Sequence, residues 1–424
     1  MLDSLLGRIR RHIIPESAFN FFNPLYHRAL AISAAVIYRF PSRKIKVIGV
    51  TGTKGKSSTV EILSAILEEA GYKTALTNTI RFKIGNESKE NLYKMSMPGR
   101  FFLQHFIKKA VDAKCDYLIL EMTSQGAITH RHRFIQLDAF VFTNISPEHI
   151  EAHGSYEKYK QAKLDLCKAL SNSNKKERAL IVNADDKESA SFLECGADKK
   201  ITYSLKDAEP YEIKKEGIDF TFGGKKAHSQ LSGTFNLYNI LAAASTARSQ
   251  GVSDETIIRA VEKFSGIAGR VQKIEAGQNF TVIVDYAHTP DSLEKLYQVF
   301  QTSRKICVLG GTGGGRDSWK RKEMGHIADE YCDEIILTDE DPYDEDPRKI
   351  VDGVAAGITS RTPAIVMDRR EAIREGLKKA AAGDTVLITG KGTDPYIMGP
   401  NDTKTPWSDA KVAKEELERV LQAE

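Results

Sequence analysis

Short apolar runs alternate with amphipathic stretches along most of the chain, which is the pattern of parallel strands connected by helices. Four runs in the first half predict strands of one sheet: residues 46–50, 117–120, 139–142 and 179–182. A helical periodicity from Thr59 to Ala70 follows the first run. A more irregular stretch covers roughly 175–230, with Gly/Lys-rich turns at Gly223 to Lys226.

From about residue 270 the alternation is regular. Five further runs, separated by helical stretches, predict a second sheet: residues 281–284, 305–309, 334–337, 364–367 and 385–388. The expected fold class is therefore α/β, with a mainly parallel sheet in the central part of the chain and a Rossmann-like C-terminal α/β domain.

The composition excludes several classes of protein. Apolar residues make up 41% of the 424 residues and charged residues 28%, which is typical of a globular protein rather than a disordered or membrane-spanning one. The formal charge of +4 gives no reason to expect nucleic acid as a partner. Five scattered cysteines without a C-x-x-C pair predict neither a disulfide framework nor a thiolate zinc site, and they favour a reducing, cytoplasmic setting.

The first 44 residues are basic. They hold seven Arg or Lys side chains against two acidic ones, and their longest apolar run, Ala29–Tyr38, is about half of the ~20 residues that span a bilayer. No secretory signal is expected, because the first fifteen residues lack a long apolar core. Such a leader either rests on an anionic membrane surface or packs its apolar face on the protein body, and the second interpretation is favoured.

A glycine-rich turn, Gly52–Gly55, lies between the first strand and the first helix, and Lys56 and Ser57 follow it. Backbone N–H groups at such a helix start face a phosphate, the lysine supplies a point charge and the serine hydroxyl can ligate Mg²⁺. The strict phosphate-loop spacing is not met, because Val50 stands where a glycine is required. A plain turn does not explain why a lysine and a serine directly follow Gly55, so nucleotide binding is predicted.

This turn resembles the phosphate loop of the Mur ligases, the ATP-dependent amide ligases of peptidoglycan precursor synthesis. The matching positions are Gly52, Thr53, Lys54, Gly55, Lys56, Ser57 and Ser58. Further matches in the same order extend the resemblance over about 45–415 and favour the branch that adds the third amino acid: residues 121–124, 142–149, 159–163, 233–239, 269–270, 285–290, 341–347 and 390–392. The resemblance implies a basic leader over 1–44 in place of the usual N-terminal domain, an ATP-binding central domain over 45–268 and an amino-acid-binding C-terminal domain over 269–424.

A metal site is also implied. Glu121 follows an apolar strand, at the sheet edge where a carboxylate suits Mg²⁺, and Ser57 can join it. The family uses a histidine at the position of His149 for a second Mg²⁺ and a lysine at that of Lys163 as an N-carbamate metal ligand. With Lys56, these residues are the implied catalytic set. The alternatives are a structural histidine and a solvated helix lysine.

Other matches imply contacts with ATP. Asn239 is expected at the adenine, Arg270 at the phosphates and Asp285 at the ribose. Tyr286 and His288 are expected to pack on the nucleotide. Helix capping is the alternative for Asn239 and for its neighbour at position 236.

Ser124 and Arg131 are implied to face the acceptor, and Arg131 lies in a basic turn over 130–133 that suits an anionic substrate or is simply solvated. The amino-acid pocket is implied at four positions: Asp341, Tyr343, Gly390 and Asp394.

One position in that pocket departs from the family members that select diaminopimelate. They carry an arginine where this chain has Tyr343, and an arginine pairs bidentately with the distal carboxylate. The acidic residues around Asp341 suit an ammonium group, so lysine is favoured as the added amino acid. Alternatively, these acids are solvated or cap the helix after Pro347.

The implied reaction is ATP-dependent amide-bond formation through an acyl phosphate, on a UDP-muramoyl-dipeptide-like acceptor, with ATP and two Mg²⁺ as cofactors. The expected partners are these small molecules and not nucleic acid, and the expected state is a cytoplasmic monomer. The family's usual N-terminal domain holds the UDP of the acceptor, and only 44 residues precede the first strand here. An acceptor without UDP or a lipid-linked acceptor is therefore an alternative. Folylpolyglutamate or poly-γ-glutamate ligases and a non-catalytic nucleotide-binding protein are the rival interpretations.

Overall fold

A computed structural model describes residues 16–148, 153–315 and 318–423. These residues fall into two compact units. The first contains the described residues up to Tyr211 together with Asp219–Ser229 and Asn236–Phe264, and the second contains Glu212–Ile218, Gln230–Phe235 and the described residues from Ser265 onward.

The first unit is built on an eight-stranded sheet. Its strands are β1 (Lys46–Thr51), β2 (Thr74–Thr77), β3 (Arg81–Ile84), β4 (Glu87–Glu90), β5 (Tyr117–Glu121), β6 (Ala139–Phe142), β7 (Ala179–Asn183) and β8 (Lys199–Tyr203). Their order is β4-β3-β2-β5-β1-β6-β7-β8, and each neighbouring pair from β2 to β8 is parallel. All of β1 except its first residue is buried, as expected for a central parallel strand.

The described helices that lie wholly or mostly in this unit begin with a helix in the leader. They are α1 (Glu16–Ile37), α2 (Lys56–Glu69), α3 (Arg100–Asp112), α4 (Ser124–Ile128), α5 (Tyr156–Ser171), α6 (Ser189–Leu193), α7 (Thr234–Ser249) and α8 (Asp254–Lys263). The helix α2 begins three residues earlier than its apolar periodicity predicts, because the glycine-rich turn leads directly into the first helical turn. β1, the turn and α2 form the predicted strand–loop–helix unit.

The leader helix α1 packs on α3, and its Ala31, Ala34 and Ala35 are buried. Packing on the protein body, the favoured interpretation, therefore holds for this part of the leader, whereas residues 1–15 lie outside the described residues. Among the helices that the structure describes, none combines the length and the hydrophobicity needed to cross a bilayer.

The irregular stretch carries three short strands in one sheet of order β11-β10-β9. They are β9 (Glu212–Lys214), β10 (Gly217–Phe222) and β11 (Lys225–Ser229). Gly223 and Gly224 form the turn between β10 and β11 with φ of 58° and 78°, which confirms the predicted turn.

The second unit is built on a six-stranded sheet of order β12-β13-β17-β14-β15-β16, parallel except between β12 and β13. Its strands are β12 (Gln272–Lys273), β13 (Thr281–Asp285), β14 (Lys305–Leu309), β15 (Glu334–Leu337), β16 (Ala364–Ile365) and β17 (Thr385–Thr389), and β18 (Tyr396–Met398) pairs with β19 (Lys404–Pro406). The described helices are α9 (Pro290–Val299), α10 (Lys320–Tyr331), α11 (Pro347–Ala355), α12 (Arg369–Lys378) and α13 (Asp409–Ala423).

Two apolar clusters cover the faces of this sheet. Cys307 and Leu309 of β14 lie in one cluster, and Ile306 and Val308 lie in the other, because successive strand residues point to opposite faces. Helices therefore pack on both faces, and the predicted α/β class is confirmed.

Four of the five cysteines are paired, contrary to the expectation from the sequence. Cys167 bonds Cys195 and Cys307 bonds Cys332, with Cα atoms 6.2 and 6.1 Å apart, while Cys115 is a buried free thiol. The partners are 28 and 25 residues apart in the chain, so no short spacing signals them. Packing of helices onto the sheets brings them together.

Candidate active site

The glycine-rich turn after β1 adopts a conformation that favours glycine. Gly55 has φ of 80°, and a Cβ there would lie 2.1 Å from Oδ1 of Asn239, so a side chain would displace the asparagine. The Lys56 ammonium turns back and donates to the carbonyl oxygens of Gly52 and Thr53 at 3.0 and 2.8 Å. The result is a cationic loop at the N-terminus of a 14-residue helix, an arrangement that binds phosphate groups.

Residues that follow β6 hold this loop from one side. The Thr53 N–H donates to the backbone carbonyl of Asn144 at 2.8 Å, and the Lys54 N–H donates to the Asn144 side-chain oxygen at 2.9 Å. The Thr143 hydroxyl donates to the Lys54 carbonyl at 2.8 Å, and Ser58 is buried in the first turn of α2. Because β6 neighbours β1, the two strand ends together define the loop conformation.

Glu121 ends β5, the other neighbour of β1, and its carboxylate is buried. The Ser57 hydroxyl donates to it at 2.7 Å, and Thr79 donates through its backbone N–H at 3.0 Å and its hydroxyl at 3.1 Å. A carboxylate and a serine hydroxyl beside a phosphate loop are oxygen donors of the kind that Mg²⁺ shares with bound phosphate. Ser57 and Glu121 therefore fit part of a magnesium site.

Further metal ligands are not evident in the described part of the chain. No group of three or more His, Cys, Asp and Glu side chains there could hold a metal ion by itself. His149, the predicted ligand of a second ion, lies outside the described residues.

Lys163 lies on α5 with 1% of its surface exposed, and its amine faces the phosphate loop. Its Nζ donates to the carbonyl oxygen of Gly52 at 2.6 Å and lies 4.7 Å from the centre of the Tyr159 ring. Burial holds the pKa of this amine well below its ordinary value, and the charge of Lys56 lowers it further, while nearby carboxylates oppose the shift. Lys163 is therefore not the solvated helix lysine of the alternative interpretation.

A buried polar chain that the sequence analysis missed joins Ser124 to the phosphate loop. The Ser124 hydroxyl lies 3.1 Å from Nε2 of His153, whose ring packs edge-on against Tyr159 with centroids 5.1 Å apart. The Tyr159 hydroxyl lies 3.0 Å from that of Thr53. Burial lowers the pKa of His153, and Lys163 contributes. The sequence signal was a lone histidine before α5, which has no distinctive spacing.

Arg131 and Asn239 both have local partners. Arg131 is half-buried in the turn after α4, and its guanidinium donates to the Met97 carbonyl, so it is not simply solvated. Asn239 lies in the second turn of α7 and donates to Oδ1 of Asn236 at 3.2 Å. Helix capping does not account for Asn239, because its side chain lies inside the helix boundary and against Gly55 of the phosphate loop.

In the second unit, the residues predicted to contact the nucleotide cluster at the C-terminal end of β13. The Asp285 carboxylate accepts two backbone N–H groups at 2.6 and 2.7 Å, which fixes the loop around it. The Arg270 guanidinium lies 4.4 Å from the centre of the Tyr286 ring, and the rings of Tyr286 and His288 lie 4.5 Å apart. Arg270, Tyr286 and His288 thus form one group of ring and cation contacts.

Lys391, to which the sequence analysis gave no role, joins two of the residues predicted for the amino-acid pocket. Its buried ammonium donates to Asp341 at 2.7 Å, to Asp394 at 3.3 Å and to the Tyr396 carbonyl at 2.6 Å. A buried cation of this kind requires such compensation. The pairing of Lys391 with Asp341 and Asp394 offsets part of the negative charge that the acidic residues around Tyr343 give this loop.

Other acids in this loop have separate roles. Asp346 caps α11 by accepting from the N–H of Arg348 at 2.9 Å, as one alternative interpretation predicts. Glu340 is buried; one oxygen accepts from the Thr312 hydroxyl at 2.9 Å, and the other has no hydrogen-bond partner among the described residues. Burial raises the pKa of Glu340 to about 7. A Cβ on Gly390 would lie 2.2 Å from this second oxygen, so glycine makes room for the carboxylate.

A second glycine-rich turn, which the sequence analysis also missed, follows β14. Five of the six residues Gly310–Gly315 are glycine, directly after a buried parallel strand at the sheet edge where ligands bind. A Cβ at Gly313 would lie 2.2 Å from the Pro342 carbonyl, and the Gly315 N–H donates to Glu345 at 2.9 Å. The glycines allow this turn to pack directly on the loop after β15.

Comparison with known proteins agrees with this geometry. The family profile of the Mur ligase middle domain matches residues 50–247, and that of the Mur ligase glutamate ligase domain matches residues 269–392. The solved structure of a UDP-N-acetylmuramoyl-L-alanyl-D-glutamate–2,6-diaminopimelate ligase is similar at a TM-score of 0.62 and 26% identity, covering 90% of this chain and 79% of that one.

Two curated relatives are similar over most of the sequence. A UDP-N-acetylmuramyl-tripeptide synthetase of Roseiflexus sp. (strain RS-1) is 36% identical over 92% of this chain and 82% of its own length. A UDP-N-acetylmuramoyl-L-alanyl-D-glutamate–2,6-diaminopimelate ligase of Syntrophomonas wolfei is 35% identical over 92% of this chain and 81% of its own length. With its phosphate loop, its two α/β units and these matches, the chain belongs to the Mur ligase family of ATP-dependent ligases.

Proposed function

We propose that this chain joins an amino acid to a muramoyl-peptide acceptor in peptidoglycan precursor synthesis, at the expense of ATP. The observation that carries the proposal is the convergence of the Lys163 amine and the Lys56 ammonium on the Gly52 carbonyl, beside the hydrogen-bonded pair of Ser57 and Glu121. These groups stand at a helix N-terminus, where they can bind and orient a nucleoside triphosphate. The names of the relatives support an acceptor of the UDP-muramoyl-dipeptide type.

The proposed reaction has two steps and needs no covalent bond to the protein. In the first, a carboxylate oxygen of the acceptor attacks the γ-phosphorus of ATP, the bond to the bridging oxygen breaks and ADP leaves. In the second, the amine of the amino acid attacks the acyl carbon, phosphate leaves with the electron pair and the amine loses a proton. Such transfers depend on alignment and on stabilisation of negative charge, which are the tasks left to the protein.

In the proposed reaction, the loop residues bind the phosphates of ATP. Backbone N–H groups of Gly52–Gly55 and of the start of α2 face the phosphate oxygens. The Lys56 ammonium leaves the carbonyl oxygens of Gly52 and Thr53 and donates to a phosphate oxygen instead. Ser57 and Glu121 would hold Mg²⁺, which when bound neutralises phosphate charge. His149 is proposed as a ligand of a second ion.

Lys163 is proposed to carry a carbamate. Its amine nitrogen forms a bond to the carbon of CO₂ and releases a proton, which converts a potential cation into a carboxylate facing the loop. Burial supports this role, because a neutral amine is the form that reacts, and burial favours the neutral form. The carbamate would then complete the oxygen donors begun by Glu121.

Four further residues are proposed to contact the nucleotide: Asn239 at the adenine, Arg270 at the phosphates, Asp285 at the ribose and His288 packed on the nucleotide. The stack of Arg270 on Tyr286 and the fixed Asp285 loop support this assignment. We also propose an ATP-binding domain over 45–268 and an amino-acid-binding domain over 269–424, the second of which contributes Arg270, Asp285 and His288 to the nucleotide.

Ser124 and Arg131 are proposed to face the acceptor. The amino acid is assigned to the region of four residues: Asp341, Tyr343, Gly390 and Asp394. Lysine is proposed over diaminopimelate, because Tyr343 offers no guanidinium for a distal carboxylate. Because ATP and activated precursors are cytoplasmic, we place the reaction in the cytoplasm, with a monomer as the expected state.

Phosphate release from ATP tests this proposal. The assay uses UDP-N-acetylmuramoyl-L-Ala-D-Glu as acceptor with lysine or diaminopimelate added separately, and Lys56→Ala as the inactive control. Release that requires both the acceptor and lysine supports the full proposal. Phosphate release that occurs with acceptor and diaminopimelate but not with acceptor and lysine overturns the choice of amino acid. ATP binding without phosphate release under any condition overturns the choice of acceptor.

A further inference from the structure

The outer face of α1 exposes large aliphatic side chains. Ile32, Val36 and Ile37 expose 45%, 56% and 62% of their surface. They lie on the side of the helix opposite Ala31 and Ala34, which are buried against the protein. Exposed apolar residues that cluster on one helix face mark an interaction surface more often than scattered ones do.

Cations flank these aliphatic residues. Arg28 on α1 is exposed, and three exposed cations follow the helix in the chain: Arg39, Arg43 and Lys44. Between residues 26 and 46 the sequence contains no Asp or Glu, so acidic side chains of this segment do not offset the charge. The "α1 face" denotes the three aliphatic and four cationic residues together.

We propose that the α1 face docks the protein on an anionic lipid bilayer. A helix with an exposed apolar face lies in the plane of the interface, with its apolar residues at the acyl boundary and the neighbouring cations among the headgroups. Apolar insertion and charge attraction add together, which gives reversible binding of a peripheral protein. This inference is independent of the proposed ligase reaction.

The charge pattern favours lipid over a second copy of this chain. A symmetric dimer through the α1 face would bring two sets of four cations together, and like charges at close range repel. An anionic headgroup layer complements all four cations at once. The residues before α1 are also basic in sequence, with Arg8, Arg10 and Arg11 close together.

Vesicle co-sedimentation of the full chain tests the proposal. We expect binding to vesicles of phosphatidylglycerol and phosphatidylcholine in equal parts, no binding to pure phosphatidylcholine, and weaker binding as salt rises. Replacing the aliphatic residues in Ile32→Ser/Val36→Ser/Ile37→Ser should weaken binding about tenfold or more, because the apolar contribution is lost. Trp319→Ser, at an exposed aromatic residue of the second unit, should leave binding unchanged.

A charge variant tests the contribution of the cations. Arg28→Glu/Arg39→Glu/Lys44→Glu should also weaken binding about tenfold or more. Its matched control has the same net charge but alters exposed lysines elsewhere: Lys199→Glu, Lys206→Glu and Lys226→Glu. The control separates a local effect from general repulsion by the vesicle.

Three outcomes overturn the proposal. They are equal binding to neutral and anionic vesicles, unchanged binding by both α1 variants, and wild-type dimerisation in sedimentation velocity that the aliphatic variant abolishes while vesicle binding persists. An unchanged thermal unfolding midpoint shows that each variant is folded. If the aliphatic variant fails this check, the charge variant decides.

Discussion

The ε-amine of Lys163 donates a hydrogen bond to the carbonyl oxygen of Gly52 at 2.6 Å, across 111 residues of sequence. The ammonium of Lys56 donates to the same oxygen at 3.0 Å, so two lysines converge on the first residue of the phosphate loop. Burial lowers the pKa of Lys163, and the neighbouring charge of Lys56 lowers it further. Burial therefore favours the neutral form of the amine that α5 brings to the loop.

Removing this amine should abolish ligation without unfolding the protein. Lys163→Ala is expected to lower kcat by about a thousandfold or more, because it removes the anionic carbamate proposed at the Mg²⁺ site, and electrostatic stabilisation at a phosphoryl-transfer site is the largest contribution that a single group makes. Lys160→Ala, one turn earlier on α5, removes a lysine that pairs with Glu157 and Glu188 and should retain activity. Phosphate release measured for both variants, with circular dichroism for folding, checks this.

The carbamate adds a second expectation for Lys163. In buffer depleted of CO₂, wild-type activity should fall and should return when bicarbonate is added. Activity that is indifferent to bicarbonate would show that the free amine, held at the Gly52 carbonyl, is the working form.

Glu121 should control the requirement for magnesium. Glu121→Gln keeps the side-chain shape but removes the charge and one of the acceptors that Ser57 and Thr79 use. Apparent Mg²⁺ affinity in the phosphate-release assay should fall by about tenfold to a hundredfold, with partial recovery at high Mg²⁺. Glu61→Gln is the control: it removes a different buried carboxylate, which lies on α2 and pairs with Arg81. This variant should change stability but not the Mg²⁺ dependence.

The strands were predictable where burial on both faces leaves an apolar run. β1 was predicted over 46–50 and spans Lys46–Thr51, because a central strand has no solvated face to interrupt the pattern. β16 was predicted over 364–367 and has only two residues, Ala364–Ile365, since it lies at the sheet edge with a partner on one side only. The sheet interior is therefore easier to predict than its edges.

The active-site contacts were less predictable, because they join distant parts of the chain. The phosphate loop is contiguous in sequence and could be identified, whereas Lys391 meets Asp341 across 50 residues. A helix lysine such as Lys163 looks the same in sequence whether it is solvated or buried. Only the packing of α5 on the sheet decides between the two.

Glu340 should make stability depend on pH. Its pKa is raised to about 7 from an ordinary value of 4.5, so the folded state binds the proton more tightly than the unfolded state. Stability from this group is therefore full below about pH 4.5, falls as pH rises and levels off above about pH 7, a loss of the order of 3 kcal/mol. The groups facing it are Thr312, Arg369, Asp341 and Lys391.

Chemical unfolding of Glu340→Gln between about pH 5 and pH 8 measures this effect. The variant should gain stability relative to wild type as pH rises, because glutamine has no proton to lose. Glu345→Gln is the matched control: the pKa of Glu345 is lowered by the Gly315 N–H and Arg321, so its contribution is constant over that range. Parallel pH curves for wild type and Glu340→Gln would refute the assignment.

The contact between His153 and Ser124 should position the serine for the acceptor. His153→Phe keeps a ring against Tyr159 but removes the hydrogen bond to the serine hydroxyl, 3.1 Å away. We expect KM for the acceptor to rise about tenfold, the equivalent of one lost hydrogen bond, with KM for ATP unchanged. His153→Gln, which retains a polar group at a similar reach, should restore most of the affinity.

A double-mutant cycle separates this role from a purely structural one. If His153 acts through Ser124, then Ser124→Ala/His153→Phe should bind acceptor no more weakly than Ser124→Ala alone. His105→Phe, at an exposed histidine of α3, controls for the substitution itself. Additive losses, or equal increases in KM for ATP and for acceptor, would mean that His153 supports the loop through Tyr159 and Thr53 instead.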